Sequence, residues 1–199
     1  MDTLTVAIVA GGKSSRMGTD KSFASLLGKP MIEHVIERVA DLGQSETLII
    51  TNRPDDYAYL GLPMYADVIP DSGSLGGIYT AIHSSRCEYT LVVACDMPFV
   101  SPKLLRYMIS LCDGVCDVIV PRVDGYPEGL HALYRKTCLL PIRRRLEAQQ
   151  LKVIGFYGEV NVRYLDEPEY AALDPNGMSF QNINTPDELR TAETRMRNE

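Results

Sequence analysis

Residues 9–22 read VAGGKSSRMGTDKS: an apolar run closes on two glycines, and Lys13, Arg16 and Lys21 follow among small polar residues. Gly11 and Gly12 lack a Cβ, so backbone N–H groups there can come close to an anion. Lys21 supplies a point charge, and Arg16 a fork of donors matched to phosphate oxygens. Phosphate binding is the chemistry this combination suits; a surface turn with solvated cations is the plainer alternative. The two common phosphate loops do not fit. A Walker loop needs glycine directly before its lysine, whereas Gly18 is followed by Thr19, Asp20 and only then Lys21. The G-x-G-x-x-G pattern is absent, because Gly11 and Gly12 are adjacent.

Asp96, in VVACDMPF, stands where the strongest strand pattern ends and Pro98 stops the ladder. A carboxylate opposite a phosphate loop makes electrostatic sense with a divalent cation between them. Mg²⁺ takes one or two carboxylates together with phosphate oxygens and waters. Asp96 equally suits a cap of the turn that follows, a common use of Asp-x-Pro. Asn52 ends the second strand pattern, and Asp71 lies in the glycine-rich VIPDSGSLGGI. Both carry groups suited to a base or ribose, and both are also ordinary turn formers.

Other chemically able side chains read as structural. His131 sits in an alternating strand, and His34 and His83 take no role. Cys112 and Cys116 are four apart near a helix end, and zinc would need two further ligands. Arg143, Arg144 and Arg145 read as a solvated helix face, with an acidic partner as the alternative.

The elements that position these residues alternate. Strands are predicted over 4–10, 46–52, 89–96, 117–123, 129–135 and 161–166. Helices are predicted over 30–43, 75–85, 101–112, 137–150 (interrupted near Pro141) and 185–197. Pro30 and Gly43 bound the first helix, Ser101-Pro102 caps another, and Thr185 with Glu188 forms a capping box for the last. This βαβ rhythm implies a mostly parallel sheet covered on both faces. Ligands then sit beyond the carboxyl ends of the strands, where residues 9–22, Asn52, Asp71 and Asp96 all fall.

A chain of 199 residues with a net charge of −6 lacks the basic excess of a nucleic-acid binder. Its apolar start, LTVAIVA, is too short for a signal core or a membrane span. A cytoplasmic location with no membrane partner is expected, and the five cysteines, an odd set, read as free thiols.

These stretches, in order, resemble the molybdenum cofactor guanylyltransferases, the MobA-type nucleotidyltransferases. VAGGKSSRMGTDK is similar to their LAGGxSxRMGxDK signature, and DSGSLGGI to their D…GPLGG segment. ACDMPF resembles their metal-binding strand end, EGLHALYRK their EPLHALY-like segment, and FQNINTPDEL their closing F-x-N-x-NTPEDL. Val9 stands for a usual leucine, while Ser74 and Gly129 stand for prolines, which is expected to loosen two loops.

The resemblance implies one nucleotidyltransferase domain over 1–199. Its fold would be three-layer α/β/α, with a Rossmann-like, mostly parallel sheet of the nucleotide-diphospho-sugar transferase kind. It implies that GTP and a molybdopterin, or Mo-molybdopterin, acceptor share one crevice. GMP would pass to the terminal phosphate of the pterin, and pyrophosphate would leave. Val9, Ala10 and Gly11 would contact the nucleotide through backbone, with Gly12 beside them. Lys21 would hold phosphates, and Asn52 and Asp71 would bind the nucleoside. Asp96 would bind Mg²⁺, and Asn182 and Asn184 would lie on the acceptor side. Transient contacts with other cofactor-biosynthesis proteins or with molybdoenzymes are also implied.

Such a reaction needs no strong general base. A phosphate monoester has its second pKa near 6 and is largely ionised at neutral pH. Catalysis then consists of aligning two anions and neutralising their charge, the work of Mg²⁺ on Asp96 with Lys21 and Arg16. A cytidylyltransferase acting on the same pterin is the nearest alternative, although Asp20-Lys21 resembles the guanylyl branch better. A non-catalytic nucleotide-binding or adaptor protein of the same fold is the alternative of another class. It would be expected to lose Lys21 or Asp96, and both are present.

Overall fold

Strand β1 (Leu4–Val9) is buried at every position, as a run apolar but for Thr5 requires of a strand covered on both faces. A computed structural model describes residues 4–10, 23–175 and 177–197. After β1 come a short antiparallel pair, β2 (Ser25–Leu26) and β3 (Lys29–Pro30), then α1 (Met31–Val39), β4 (Glu46–Ile50), α2 (Pro54–Tyr57) and β5 (Met64–Tyr65). The chain continues through α3 (Gly73–Ser84), β6 (Tyr89–Ala94), α4 (Pro102–Ser110), β7 (Val118–Val123), β8 (Tyr126–Pro127) and β9 (His131–Arg135). It closes with α5 (Leu139–Glu147), β10 (Val162–Leu165), α6 (Glu167–Tyr170) and α7 (Pro186–Met196).

Among the described residues the main sheet runs in the order β10-β7-β9-β6-β1-β4-β5, with β8 paired to β7. Strand β1 pairs in parallel with β4 and β6, β4 with β5, and β10 with β7. Strand β9 runs against both of its neighbours, β6 and β7. The carboxyl ends of β1, β4, β5 and β6 therefore share one edge, and β9 brings its amino end to that same edge.

Alternation along β1 splits the core in two. Leu4, Val6 and Ile8 pack with Val35 of α1 and Leu104 and Leu105 of α4. Ala7 and Val9 pack with Ile78 and Ile82 of α3 and Ile142 and Leu146 of α5. Helices thus cover both faces, and the three-layer α/β/α arrangement expected from the sequence is the one observed.

Local chemistry sets the helix ends. The Ser101 side chain accepts the Leu104 N–H at 3.3 Å, with Pro102 in the first turn. Thr185 and Glu188 complete the capping box of α7. Helix α1 stops at Val39, short of Gly43, because the Gln44 amide takes the Val39 carbonyl at 2.9 Å and the Ala40 carbonyl at 3.3 Å. Pro141 does not interrupt α5. It lies in the first turn, where its missing N–H is not needed, after a 3-10 turn over Lys136–Cys138.

Helix α3 begins at Gly73, and its two inner glycines have a packing reason. A Cβ at Gly76 would lie 2.5 Å from that of Ser72, and one at Gly77 would lie 3.0 Å from Val9. The glycines that weaken the helix pattern allow α3 to close on the end of β1. Gly129 is equally tight: a Cβ there would stand 2.4 Å from Val153, so the turn is packed and not loosened by the missing proline. All five cysteines are free thiols, and burial pushes the Cys112 and Cys138 thiols up to about 12. Among the described residues no helix is long and apolar enough to cross a membrane.

Candidate functional site

The shared edge is stitched by backbone. The Ala10 N–H donates to Ile50 C=O at 2.8 Å, and the Cys95 N–H donates to Val9 C=O at 3.1 Å. These bonds set the exits of β1, β4 and β6 side by side. Val9 and Ala10 are buried at the mouth of the glycine-rich stretch. Gly11, Gly12, Arg16 and Lys21 lie outside the described residues.

Past β4, Asn52 is joined to a residue that sequence reasoning passed over. Its amide Nδ2 donates to the Asp67 carboxylate at 2.8 Å, and its Oδ1 accepts the Asp67 N–H at 2.9 Å. Asp67 lies just past β5, and nothing in its local sequence marks it. The parallel pairing of β4 with β5 is what brings it to Asn52. Asp71, four residues further on, is exposed and adopts φ 57°, a left-handed conformation that aspartate tolerates better than most residues. It lies in the turn that leads into α3.

Asp96 lies just past β6, half-buried, and its backbone C=O accepts the Ile183 N–H at 2.9 Å. Ile183 is buried with Leu26, Met31, Phe99 and Met178. Asn182, which is exposed, and Asn184, which is half-buried, flank it as the alternation implied. The Asn184 N–H donates to Glu188 at 2.6 Å, so the capping box that starts α7 also holds this segment. Two distant parts of the chain, 94–96 and 182–184, thus meet at one edge.

The carboxylates of Asp67, Asp71 and Asp96 give this edge a negative character, so an anionic ligand would need cations supplied beside it. Among the described residues no group of three or more His, Cys, Asp or Glu side chains gathers for a metal. An all-protein cage is therefore absent from that part of the chain. A single half-buried carboxylate at a strand end fits a hard cation that keeps waters and phosphate oxygens.

The remaining candidates fall outside this chemistry. His131 is wholly buried, its ring edge-on to Phe180 with centroids 4.9 Å apart. Burial pushes its pKa down to about 4 against a smaller opposing pull from the Ser179 backbone, so it is neutral at pH 7. The His34 Nε2 meets the Leu26 carbonyl at 2.9 Å, and His83 stacks on Tyr79. Arg143 pairs with Glu147, and Arg144 and Arg145 with Glu159, as expected of a solvated face.

Residues 6–159 match the model of the MobA-like NTP transferase domain. The chain is 38% identical over 196 residues to the probable molybdenum cofactor guanylyltransferase of Natranaerobius thermophilus, covering 96% of this chain and 95% of that one. It is 35% identical over 194 residues to the molybdenum cofactor guanylyltransferase of Desulfosudis oleivorans, covering 97% of this chain and 96% of that one. Among solved structures, molybdopterin-guanine dinucleotide biosynthesis protein A from Archaeoglobus fulgidus superposes with a TM-score of 0.85 at 29% identity, covering 98% of this chain and 100% of that one. A nucleotidyl transferase from Methanothermobacter shares the fold, with a TM-score of 0.74 at 17% identity over the whole of both chains.

Proposed function

Because the chain belongs to the MobA-like NTP transferase family, we propose that it transfers GMP from GTP to the terminal phosphate of molybdopterin, or of its molybdenum-loaded form, with release of pyrophosphate. The observation that carries this reading is the hydrogen bond from Ile183 N–H to Asp96 C=O at 2.9 Å. It draws the segment bearing Asn182 and Asn184 to the strand end bearing Asp96. An acceptor lying on those amides would then present its phosphate beside the metal acid. The Asn52–Asp67 pair, at the neighbouring strand ends, provides polar groups for the nucleoside.

In this reaction Val9, Ala10, Gly11 and Gly12 border the triphosphate, Lys21 holds its oxygens, and Arg16 offers a second cation. Asp96 would hold Mg²⁺, which when bound offsets charge on the α-phosphate and the departing pyrophosphate. Asp71 sets the turn that carries the chain from Asp67 into α3. A general base is not required, because the attacking phosphate oxygen is already ionised. Binding energy goes into bringing two anions into line.

Pyrophosphate release with Mg²⁺ and molybdopterin, compared among GTP, CTP and ATP, tests the proposal. GTP should exceed ATP in kcat/KM by at least about tenfold, since groups that pair with guanine are left unpaired by adenine. Equal turnover of GTP and CTP would refute guanylyl selectivity, and no pyrophosphate from any of the three would favour the non-catalytic alternative.

A further inference from the structure

Glu128 is a half-buried carboxylate whose side chain has no partner among the described residues. Among the described residues the other buried or half-buried acids are all engaged, from Glu46 with Thr5 to Asp174 with the Ser179 N–H. The Glu128 backbone is fully used: its N–H donates to Pro121 C=O and its C=O accepts the His131 N–H, each at 2.9 Å. The chain therefore fixes the residue and leaves its carboxylate unmatched. Burial raises its pKa, and no cation among the described residues opposes that.

The position of Glu128 follows from the direction of β9. Val93 faces His131 across the β6–β9 pair, and the Ala94 N–H donates to Leu130 C=O at 3.0 Å. The turn 128–130 therefore lies beside the strand end that leads to Asp96. It is anchored from beneath. The Tyr134 hydroxyl donates to Gly129 C=O at 2.7 Å and meets the Tyr157 hydroxyl at 3.1 Å, while Val153 fills the space beside Gly129.

An unmatched, partly desolvated carboxylate costs stability, and at the edge of a binding crevice it points to a ligand. That ligand group is not a phosphate, which a carboxylate repels. Two carboxylate oxygens match two parallel N–H donors, as they do with a guanidinium. A 2-amino-4-oxo heterocycle presents such a pair: a ring N–H beside an exocyclic amine. Guanine and a pterin both carry it. Cytosine and adenine place a ring acceptor at the corresponding position, which would face the carboxylate unfavourably.

We propose that Glu128 reads the 2-amino-4-oxo edge of a ring bound beside Asp96, accepting its two N–H donors and setting the ring's orientation. This rests on the proposed reaction, which supplies the edge from two sources, the guanine of the nucleotide and the pterin of the acceptor. The test compares Glu128→Gln with the wild type. Calorimetry would use GTP and ITP, which lacks the exocyclic amine, and steady-state kinetics would use molybdopterin as acceptor.

If the ring is guanine, GTP affinity falls about tenfold or more in the variant, and the preference for GTP over ITP shrinks. If the ring is the pterin, nucleotide affinities hold while the acceptor KM rises by a similar factor and kcat changes little. In both cases the variant melts no lower than the wild type. The proposal is overturned if neither affinity moves, if both fall together with the melting temperature, or if higher Mg²⁺ restores the loss. Wild-type GMP transfer is the control. A GTP-over-ITP preference that depends on Glu128, without any transfer, would refute the proposed reaction and leave the role of Glu128 standing.

Discussion

Asn52 and Asp67 satisfy each other through two hydrogen bonds, the Asn52 amide donating to the Asp67 carboxylate at 2.8 Å and accepting the Asp67 N–H at 2.9 Å. The pair ties the chain just past β4 to the chain just past β5. A nucleoside bound at that edge, as proposed, would meet a held carboxylate and not a lone amide. Removing either residue should therefore do most of the damage of removing both. Asn52→Ala and Asp67→Ala are each expected to weaken GTP binding. The double variant should fall short of their sum, with a coupling of about 1 kcal/mol. A calorimetric double-mutant cycle measures this, and strict additivity would make the two residues independent.

Asp96 and Lys21 are assigned opposite sides of one charge balance, so their variants should respond differently to metal. Asp96→Asn keeps nearly the same size and loses the charge that would hold Mg²⁺. Turnover should fall steeply at low Mg²⁺ and recover in part as Mg²⁺ is raised. Lys21→Ala should lower kcat/KM by roughly 10²–10³ at every Mg²⁺ concentration, as loss of one charge-stabilising donor does. Thermal melts of both should match the wild type. Full activity of Asp96→Asn at low Mg²⁺ would leave Asp96 as a turn residue.

What could be read from the sequence was what is decided locally. The near-continuous apolar runs of β1 and β6 and the capping residues Ser101 and Thr185 act within a few positions of themselves, and their elements appear where expected. The end of α1 was misplaced because its carbonyls are taken by Gln44, a side chain beyond the helix. Strands β2, β3, β5 and β8 have two residues each, too few for any periodicity, and exist only through their partners. The same limit hid part of the candidate site. Asp96 stands out in the sequence as a candidate because it ends a strong strand. Asp67 gains meaning only through Asn52, and Glu128 only through the antiparallel β9, and a local pattern encodes neither pairing.

His131 should make the fold sensitive to acid. Burial lowers its pKa from 6.5 to about 4, and the Ser179 backbone offsets only a small part of that. Above pH 6.5 the imidazole is neutral in the folded and unfolded chains, and it adds no slope. As the pH falls from 6.5 toward about 4, the unfolded chain binds a proton that the folded chain refuses, so stability falls. The full loss is on the order of 3 kcal/mol. His131→Phe should be about as stable as the wild type near pH 7, since it replaces a wholly buried, poorly matched polar ring with an apolar one. It should also lose less on acidification. Urea melts at about pH 7 and about pH 4.5 compare the two slopes, and equal slopes would place the acid sensitivity in other groups.

Asn182 and Asn184 flank a buried Ile183, whose N–H is bound to Asp96 C=O at 2.9 Å. Uncharged amides at a crevice edge suit a pterin, rich in donors and acceptors, better than a phosphate, which would call for cations. The competing role is structural, because the Asn184 N–H also feeds the Glu188 carboxylate that caps α7. That bond is made by backbone, so replacing the asparagine side chains leaves it in place. The double variant Asn182→Ala, Asn184→Ala should therefore raise the molybdopterin KM and leave GTP affinity and the melting temperature unchanged. Glu188→Ala, by contrast, removes the cap and should cost about 1 kcal/mol of stability. It should raise the acceptor KM as well, because the segment loses its anchor. If the double asparagine variant instead lowers GTP affinity, acceptor affinity and melting temperature together, the two amides hold the fold and the acceptor binds elsewhere on the edge.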